Sequence, residues 1–342
     1  MNLKRKITYF LKYILFSRKR LQNLFLVELS KKFKLTKVRG YPLTLMIEPT
    51  NICNLKCPLC PTGAGLIKRK KGFMKLEDFK KIIDESGEYV LHLRLWNWGE
   101  PLLNKDIFDI ISYGKQKKVF TNISTNSSFL DNEVSKKLIE SGLDELIISL
   151  DGASEETYKK YRKGGNFKKV LDSMRFIQEE KKRLNKKLPY IKLQFIIMKH
   201  NEHEINKIKQ LAKEIGIEEL SFKTVGVMDY FSKEDISKYL PEDKKYSRYT
   251  LENNQPVLKR KINNWCDFIW EEMVINWDGE VVPCCFDMNN HLLLGNVLKE
   301  GVKDIWNNEK YQNLRKMILE NKSNIPLCKD CPGTNKETFV DA

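Results

Sequence analysis

Cys53, Cys57 and Cys60 fall within the eight residues CNLKCPLC. Thiols this close in sequence share one short loop and can converge on a soft metal centre. A disulfide framework would use an even set in an oxidising compartment. No secretory signal is expected, since the apolar stretch after MNLKRK is broken at Lys12, ends at SRKR and has no small-residue cleavage site. A zinc ribbon would bring a second CxxC close by, whereas the next cysteine is Cys266. Zinc held by the trio and a distant fourth ligand stays open on spacing alone. Three protein ligands leave one coordination position for chemistry. Cys266, Cys284, Cys285, Cys328 and Cys331 form a second, C-terminal set. Four of these would saturate one centre, either a cluster or Zn(Cys)4. His92, His200, His203 and His291 form no motif, and no Walker loop, G-x-S-x-G or HExxH occurs.

The elements that must position these thiols read as alternating strands and helices. LTLMIEP (43–49) is a buried strand running straight into the cysteine loop. Further strands are expected at 92–99, 119–126, 145–152, 191–198 and 219–226. Amphipathic helices fall at 74–87, 106–118, 135–142, 167–184 and 203–216. Such alternation builds a parallel sheet with crossover helices, open or curled toward a barrel, which binds ligands beyond the carboxyl ends of its strands. The cysteine trio lies just past the first such end. Residues 227–263 are polar and aperiodic, a connector. Two β-rich runs around Asp278 and Gly279 read as a hairpin, and 295–320 as helical.

C-x3-C-x2-C after the first strand of such a series resembles the radical S-adenosylmethionine (radical SAM) superfamily. The resemblance implies a partial (β/α)6 barrel in which Cys53, Cys57 and Cys60 hold three irons of a [4Fe–4S] cluster, leaving the fourth iron for S-adenosylmethionine (AdoMet). WNWGEP (96–101) resembles the family's GGEP element. Trp98 replaces its first glycine, so Gly99, Glu100 and Pro101 carry over. STN (124–126) resembles the adenosyl-site triplet and brings in Thr125 and Asn126, with Ser127 where the usual glycine stands. SLDG (149–152) resembles the element whose counterparts of Ser149 and Asp151 sit near the carboxylate and ribose, and Arg162 matches an arginine that can clamp the methionine carboxylate. Cys266-x12-Gly279-x4-Cys284 with Cys328-x2-Cys331 resembles the SPASM and twitch auxiliary domains, in a short form with one auxiliary [4Fe–4S] cluster. Strand alternation would turn Cys285 away as a packed thiol.

At 342 residues, 41% apolar and 31% charged, the chain has room for a barrel and a smaller module, and no apolar run is long enough for a bilayer. The net +16 is uneven: residues 1–40 hold twelve Lys or Arg against one acid, Glu28. Leu3, Ile7, Phe10, Leu11, Ile14, Leu21, Leu24, Phe25 and Leu29 recur between them at helical spacing. Such a helical extension packs on the main domain or lies on an anionic membrane. Nucleic acid is not expected, because no second basic patch or aromatic platform follows. The expected organisation is extension 1–42, barrel 43–227, connector 228–263, auxiliary-cluster domain 264–335 and tail 336–342. The resemblance implies reductive AdoMet cleavage by a ferredoxin or flavodoxin electron, then hydrogen abstraction from a C–H bond. The expected outcome is oxidation of a sugar, cyclitol or lipid-linked substrate by a cytoplasmic or membrane-peripheral enzyme. Peptide maturation, carbon–carbon coupling on lipids and a non-catalytic iron–sulfur or zinc protein are the alternatives.

Overall fold

Six parallel strands frame the molecule: β1 Thr44–Ile47, β2 His92–Arg94, β3 Phe120–Thr125, β4 Glu145–Ser149, β5 Tyr190–Ile197 and β6 Glu219–Thr224. The computed structural model describes residues 13, 17–226, 231–253, 255–259, 262–329, 331 and 338–342. Helices Leu76–Ser86, Ile107–Gln116, Asn132–Glu140, Phe167–Arg183 and Ile205–Ile215 fill the crossovers. Strand alternation splits the side chains. Leu45, Ile47, Leu93, Ile123, Leu146, Ile148, Leu193 and Phe195 pack against Phe79, Ile82, Ile110, Leu138, Val170 and Met174 of the helices. The alternate residues, among them Met46, Arg94, Ser124, Ser149 and Ile196, face the interior of a partial barrel.

The connector is more ordered than its polarity suggests. Its described residues hold helix Lys233–Ser237 and a hairpin of β7 Tyr249–Glu252 and β8 Gln255–Leu258. Exposed strands held by backbone pairing leave no apolar period to read. The 295–320 helix is three helices, Val297–Glu300, Val302–Trp306 and Glu309–Asn321. Gly301 takes φ +88°, and Asn308 caps the third helix by accepting from the Tyr311 N–H (2.9 Å).

The expected Asp278–Gly279 hairpin is β9 Glu272–Ile275 with β10 Glu280–Val282. It does not stand apart from the barrel. β9 pairs in parallel with β1, Thr44 opposite Glu272 and Ile47 opposite Ile275, and β11 Gly295–Asn296 follows outside β10. At the other edge, β12 Phe339–Val340 runs antiparallel to β6. The result is one ten-stranded sheet, β11-β10-β9-β1-β2-β3-β4-β5-β6-β12. An apolar β1 left as an edge would be a pairing hazard, and β9 covers it. Cys284 and Cys285 lie beyond β10 in a turn after Pro283, so strand alternation does not govern them.

Buried polar ties lock the parts together. Glu48, fully buried, takes two hydrogen bonds from the Arg69 guanidinium (3.0 and 2.9 Å), whose Nε donates to the Met288 carbonyl (2.7 Å). Arg315 packs against both the Trp306 and Tyr311 rings and donates to the Ile269, Thr36 and Trp306 carbonyls. The helix Arg18–Lys32 sits against the barrel through a polar face. Arg20 donates to the Gly87, Val90, Lys117 and Lys118 carbonyls at 2.7–3.0 Å. Asn23, Val27 and Ser30 are buried beside it, whereas Leu21 and Phe25 are 41% and 64% exposed. Leu3, Ile7, Phe10, Leu11 and Ile14 of the expected pattern lie outside the described residues.

Candidate active site

The cysteine loop leaves β1 at Pro49 and is tied off at both ends. Thr50 Oγ1 donates to the Gly72 carbonyl (2.7 Å), while Asn51 donates to Lys70 O (2.8 Å) and accepts from Gly72 N (3.1 Å). Two glycines let backbones close on it. A Cβ on Gly63 would stand 2.4 Å from the Cys57 nitrogen, and one on Gly99 would stand 2.0 Å from the Thr50 carbonyl oxygen. The close approach that requires Gly99 is therefore to the cysteine loop itself.

Above the carboxyl ends of the strands lies a cavity of about 260 Å³. Cys53, Cys57 and Cys60 all line it, facing Gly99, Glu100, Thr125, Asn126, Ser149 and Arg162. Of the residues expected to touch AdoMet, Pro101 and Asp151 are not on its wall. Pro101 is buried at the start of a single 3-10 turn after Glu100, and Asp151 sits behind Arg162. Trp96, Asn97, Trp98, Ser124, Tyr161, Ile196 and Gly226 also line it. Ser124 and Ile196 were within reach of sequence reading, because each occupies the interior-facing phase of a predicted strand. Nothing local marks Gly226 or Tyr161.

The polar groups are held in place. Glu100 is buried and accepts from Thr125 Oγ1 (2.7 Å) and the Asn126 and Leu102 N–H groups (2.8 and 3.2 Å). Burial pushes its carboxyl up, against those donors. Asn126 donates to Asn54 Oδ1 (2.9 Å) and lies 3.6 Å from Cys53 Sγ, joining the end of β3 to the cysteine loop. Arg162 ends helix Glu155–Tyr161, a short element the sequence reading missed although Ser154 caps it (3.3 Å). Its Nε and Nη2 each reach Asp151 Oδ2 at 2.6 Å, and Asp151 Oδ1 accepts from Ile196 N–H (2.8 Å).

The donor set fits an iron–sulfur group. Burial raises the Cys53 thiol and takes Cys57 to about 11, so a bound cation must replace the proton. Among the described residues, no three His, Cys, Asp or Glu side chains close tightly enough on one point for a single metal ion. Three thiols of one loop on the wall of a cavity suit a cluster with an open iron.

The family model described as the radical SAM superfamily matches residues 47–212, and the SPASM iron–sulfur cluster-binding domain matches 266–332. The chain belongs to the radical SAM superfamily. Membership brings a [4Fe–4S] cluster and AdoMet to the barrel and an auxiliary iron–sulfur cluster to the C-terminal domain. This radical SAM chain is 25% identical over 324 residues to the tungsten-containing aldehyde ferredoxin oxidoreductase cofactor-modifying protein of Pyrococcus furiosus, covering 86% of this chain and 89% of that one. It is 27% identical over 176 residues to the PqqA peptide cyclase of Granulibacter bethesdensis, covering 51% of this chain and 45% of the cyclase. Its fold is similar to that of Streptococcus suis SuiB bound to precursor peptide SuiA, with a TM-score of 0.63, 16% identity and coverage of 91% and 74%.

In the SPASM region, Cys266, Cys284, Cys328 and Cys331 lie close in space, and Cys285 adjoins Cys284 and Cys331 as well. Burial raises Cys266 and Cys284, and takes Cys328 to about 12. Cys285 packs with Met46, Val274, Val282 and Trp96 on the barrel side.

Proposed function

We propose that this radical SAM enzyme oxidises an alcohol-bearing sugar, cyclitol or lipid-linked substrate, with Cys53, Cys57 and Cys60 as ligands of the barrel cluster and Cys266, Cys284, Cys328 and Cys331 as ligands of one auxiliary [4Fe–4S] cluster. The observation that carries this reading is the convergence of three thiols on a cavity whose other walls are Glu100, Asn126, Ser149 and Arg162. When bound, the cluster and AdoMet supply a one-electron reduction, from a ferredoxin or flavodoxin, that releases methionine and a 5′-deoxyadenosyl radical able to take hydrogen from a C–H bond. Asn126 fixes the Cys53 side of the loop, and Asp151 holds the Arg162 guanidinium where it can face a carboxylate. Glu100, with its oxygens occupied by Thr125 and Asn126, keeps the end of β3 in register with the cysteine loop. Trp96 and Tyr161 give the cavity apolar walls that restrict water.

Net oxidation needs an exit for a second electron. Cys284 is the chain neighbour of Cys285, and Cys285 and the cavity residue Trp96 both pack against Met46, Val274 and Val282. The second cysteine set thus adjoins an apolar group shared with the cavity wall, which supports the auxiliary centre as electron acceptor. The second reading is peptide modification, favoured by the similarity to the PqqA peptide cyclase. The exposed Leu21 and Phe25, flanked by Arg18, Lys19 and Lys32, support contact with an anionic lipid surface, which suits a lipid-linked substrate.

Anaerobic reconstitution with an assay for 5′-deoxyadenosine tests the proposal. Wild type is expected to cleave AdoMet. Cys57→Ala should lose the barrel cluster's absorption and this product, and Cys284→Ala should lose the auxiliary iron alone. Cys285→Ala should keep both sets of iron. Unchanged iron and product in Cys57→Ala, or reconstitution giving zinc and no cleavage, overturns the reading.

A further inference from the structure

Lys223 stands on the interior-facing row of β6. It is directly opposite Ile196 of β5, which lines the cavity, so the two side chains share a face. The residues around it on that wall are cationic or already paired. Lys192, on the same row of β5, is bound to Glu219 (2.6 Å). Arg248 is buried against Gly226 of the cavity wall, where a Cβ would stand 3.0 Å from its guanidinium carbon, and it donates to Thr224 Oγ1 (2.7 Å). The Phe339 ring of β12 lies 5.8 Å from the Lys223 ammonium and 5.4 Å from that of Lys192. Lys223 itself is half-buried, and among the described residues no carboxylate pairs with it. An ammonium beside a second cation, taken partly out of water and left without a counter-ion, is costly unless a ligand supplies the charge.

We propose that Lys223 is a substrate-binding residue that takes an anionic oxygen group, a phosphate or a carboxylate, of the molecule entering the barrel. This deepens the reading above and rests on its placing the substrate in the barrel interior. The groups facing Lys223 agree with it. Burial, then the Arg248 charge, lower the amine to about 8, while Asp151 and Cys285 act the other way and Lys192 adds to the depression. An oxyanion arriving there would relieve both the desolvation and the repulsion. It would form the charge-assisted hydrogen bond that Glu219 already gives Lys192. The substrate is thereby narrowed from a neutral polyol to one carrying a phosphate ester or a carboxylate.

The test uses the full chain, anaerobically reconstituted with AdoMet, and trace acetic anhydride labelling read by peptide mass spectrometry. Inorganic phosphate, pyrophosphate and acetate are the probes. Lys223 acetylation should fall at least about fivefold in a saturable way with one of them, while exposed lysines are unaffected. Shielding by phosphate or pyrophosphate assigns a phosphate-bearing substrate, and shielding by acetate alone a carboxylate-bearing one. Lys223→Gln should weaken binding of the protecting anion in calorimetry at least about tenfold, or 1.4 kcal/mol. Lys192→Gln should change it less than about threefold. Lys223 acetylation indifferent to all three anions, or equal binding by Lys223→Gln, overturns the subsite. AdoMet cleavage by a protein whose Lys223 no anion shields would sink the subsite alone. Shielding in a protein that cleaves no AdoMet would sink the radical reading alone.

Discussion

Ser127 has φ +61°, in the left-handed region, and its buried hydroxyl has no hydrogen-bond partner among the described residues. Glycine adopts this backbone without a Cβ clash, which explains physically why the resembling families put one here. Ser127→Gly should raise stability by about 0.5–1 kcal/mol, the relief of backbone strain and an unsatisfied hydroxyl exceeding the entropy glycine adds to the unfolded chain. A urea unfolding midpoint that moves upward at unchanged slope would show it, and a downward shift would refute it. At this scale the sequence was a good guide to which residue types gather and a poor one to their partners. Gly99, Glu100, Thr125, Asn126, Ser149 and Arg162 do share a cavity with the cysteine trio. That Asp151 would be spent on Arg162, and that Gly99 would serve the Thr50 carbonyl, depended on distances between segments far apart in the chain.

Among the elements, the six parallel strands and five crossover helices were legible because most repeat an apolar period over several residues, although β2 is three residues, His92–Arg94, where 92–99 was expected. The helix Glu155–Tyr161 was not, being two turns long with acidic and basic residues on its outer side. The loop between β1 and the helix Leu76–Ser86 offers the sharpest test of how elements are fixed. Arg69, 6% exposed, is the ion-pair partner of the fully buried Glu48 and also reaches the Met288 carbonyl beyond β10. Arg69→Met would leave a carboxylate buried without its cation, at a cost of about 3–5 kcal/mol. The double variant Glu48→Gln with Arg69→Met should recover part of that loss. Chemical unfolding of the two variants measures the difference, and equal stability of Arg69→Met and wild type would count against the pairing as a structural lock.

For the molecule as a whole, the helix Arg18–Lys32 turns polar Arg20, Asn23 and Ser30 inward together with Val27, and leaves Leu21 and Phe25 outward. Phe33 just beyond it is 61% exposed. Among the described residues no helix is long and apolar enough to cross a membrane. The proposed lipid contact is through the exposed face of the helix Arg18–Lys32. Wild type should float with phosphatidylglycerol vesicles, less so at high salt, and not with neutral ones. Leu21→Ser with Phe25→Ser should lose most of this binding while keeping its iron and its unfolding midpoint. Equal flotation of the two proteins would dispose of the lipid contact.

Local sequence sets the alternation of strands and helices, puts a thiol trio past the first strand, and gathers small and acidic residues at later strand ends. These follow from periods and spacings that act within a few residues. Tertiary structure alone decided that β9 would extend the barrel sheet beside β1 and that Cys285 would face the barrel from a turn. It also decided that the N-terminal helix would bury Arg20 and expose Leu21, and that among the described residues no carboxylate would form an ion pair with Lys223. Such outcomes depend on which surfaces meet after the chain has folded back on itself, because four carbonyls from distant loops can outweigh the burial of one leucine.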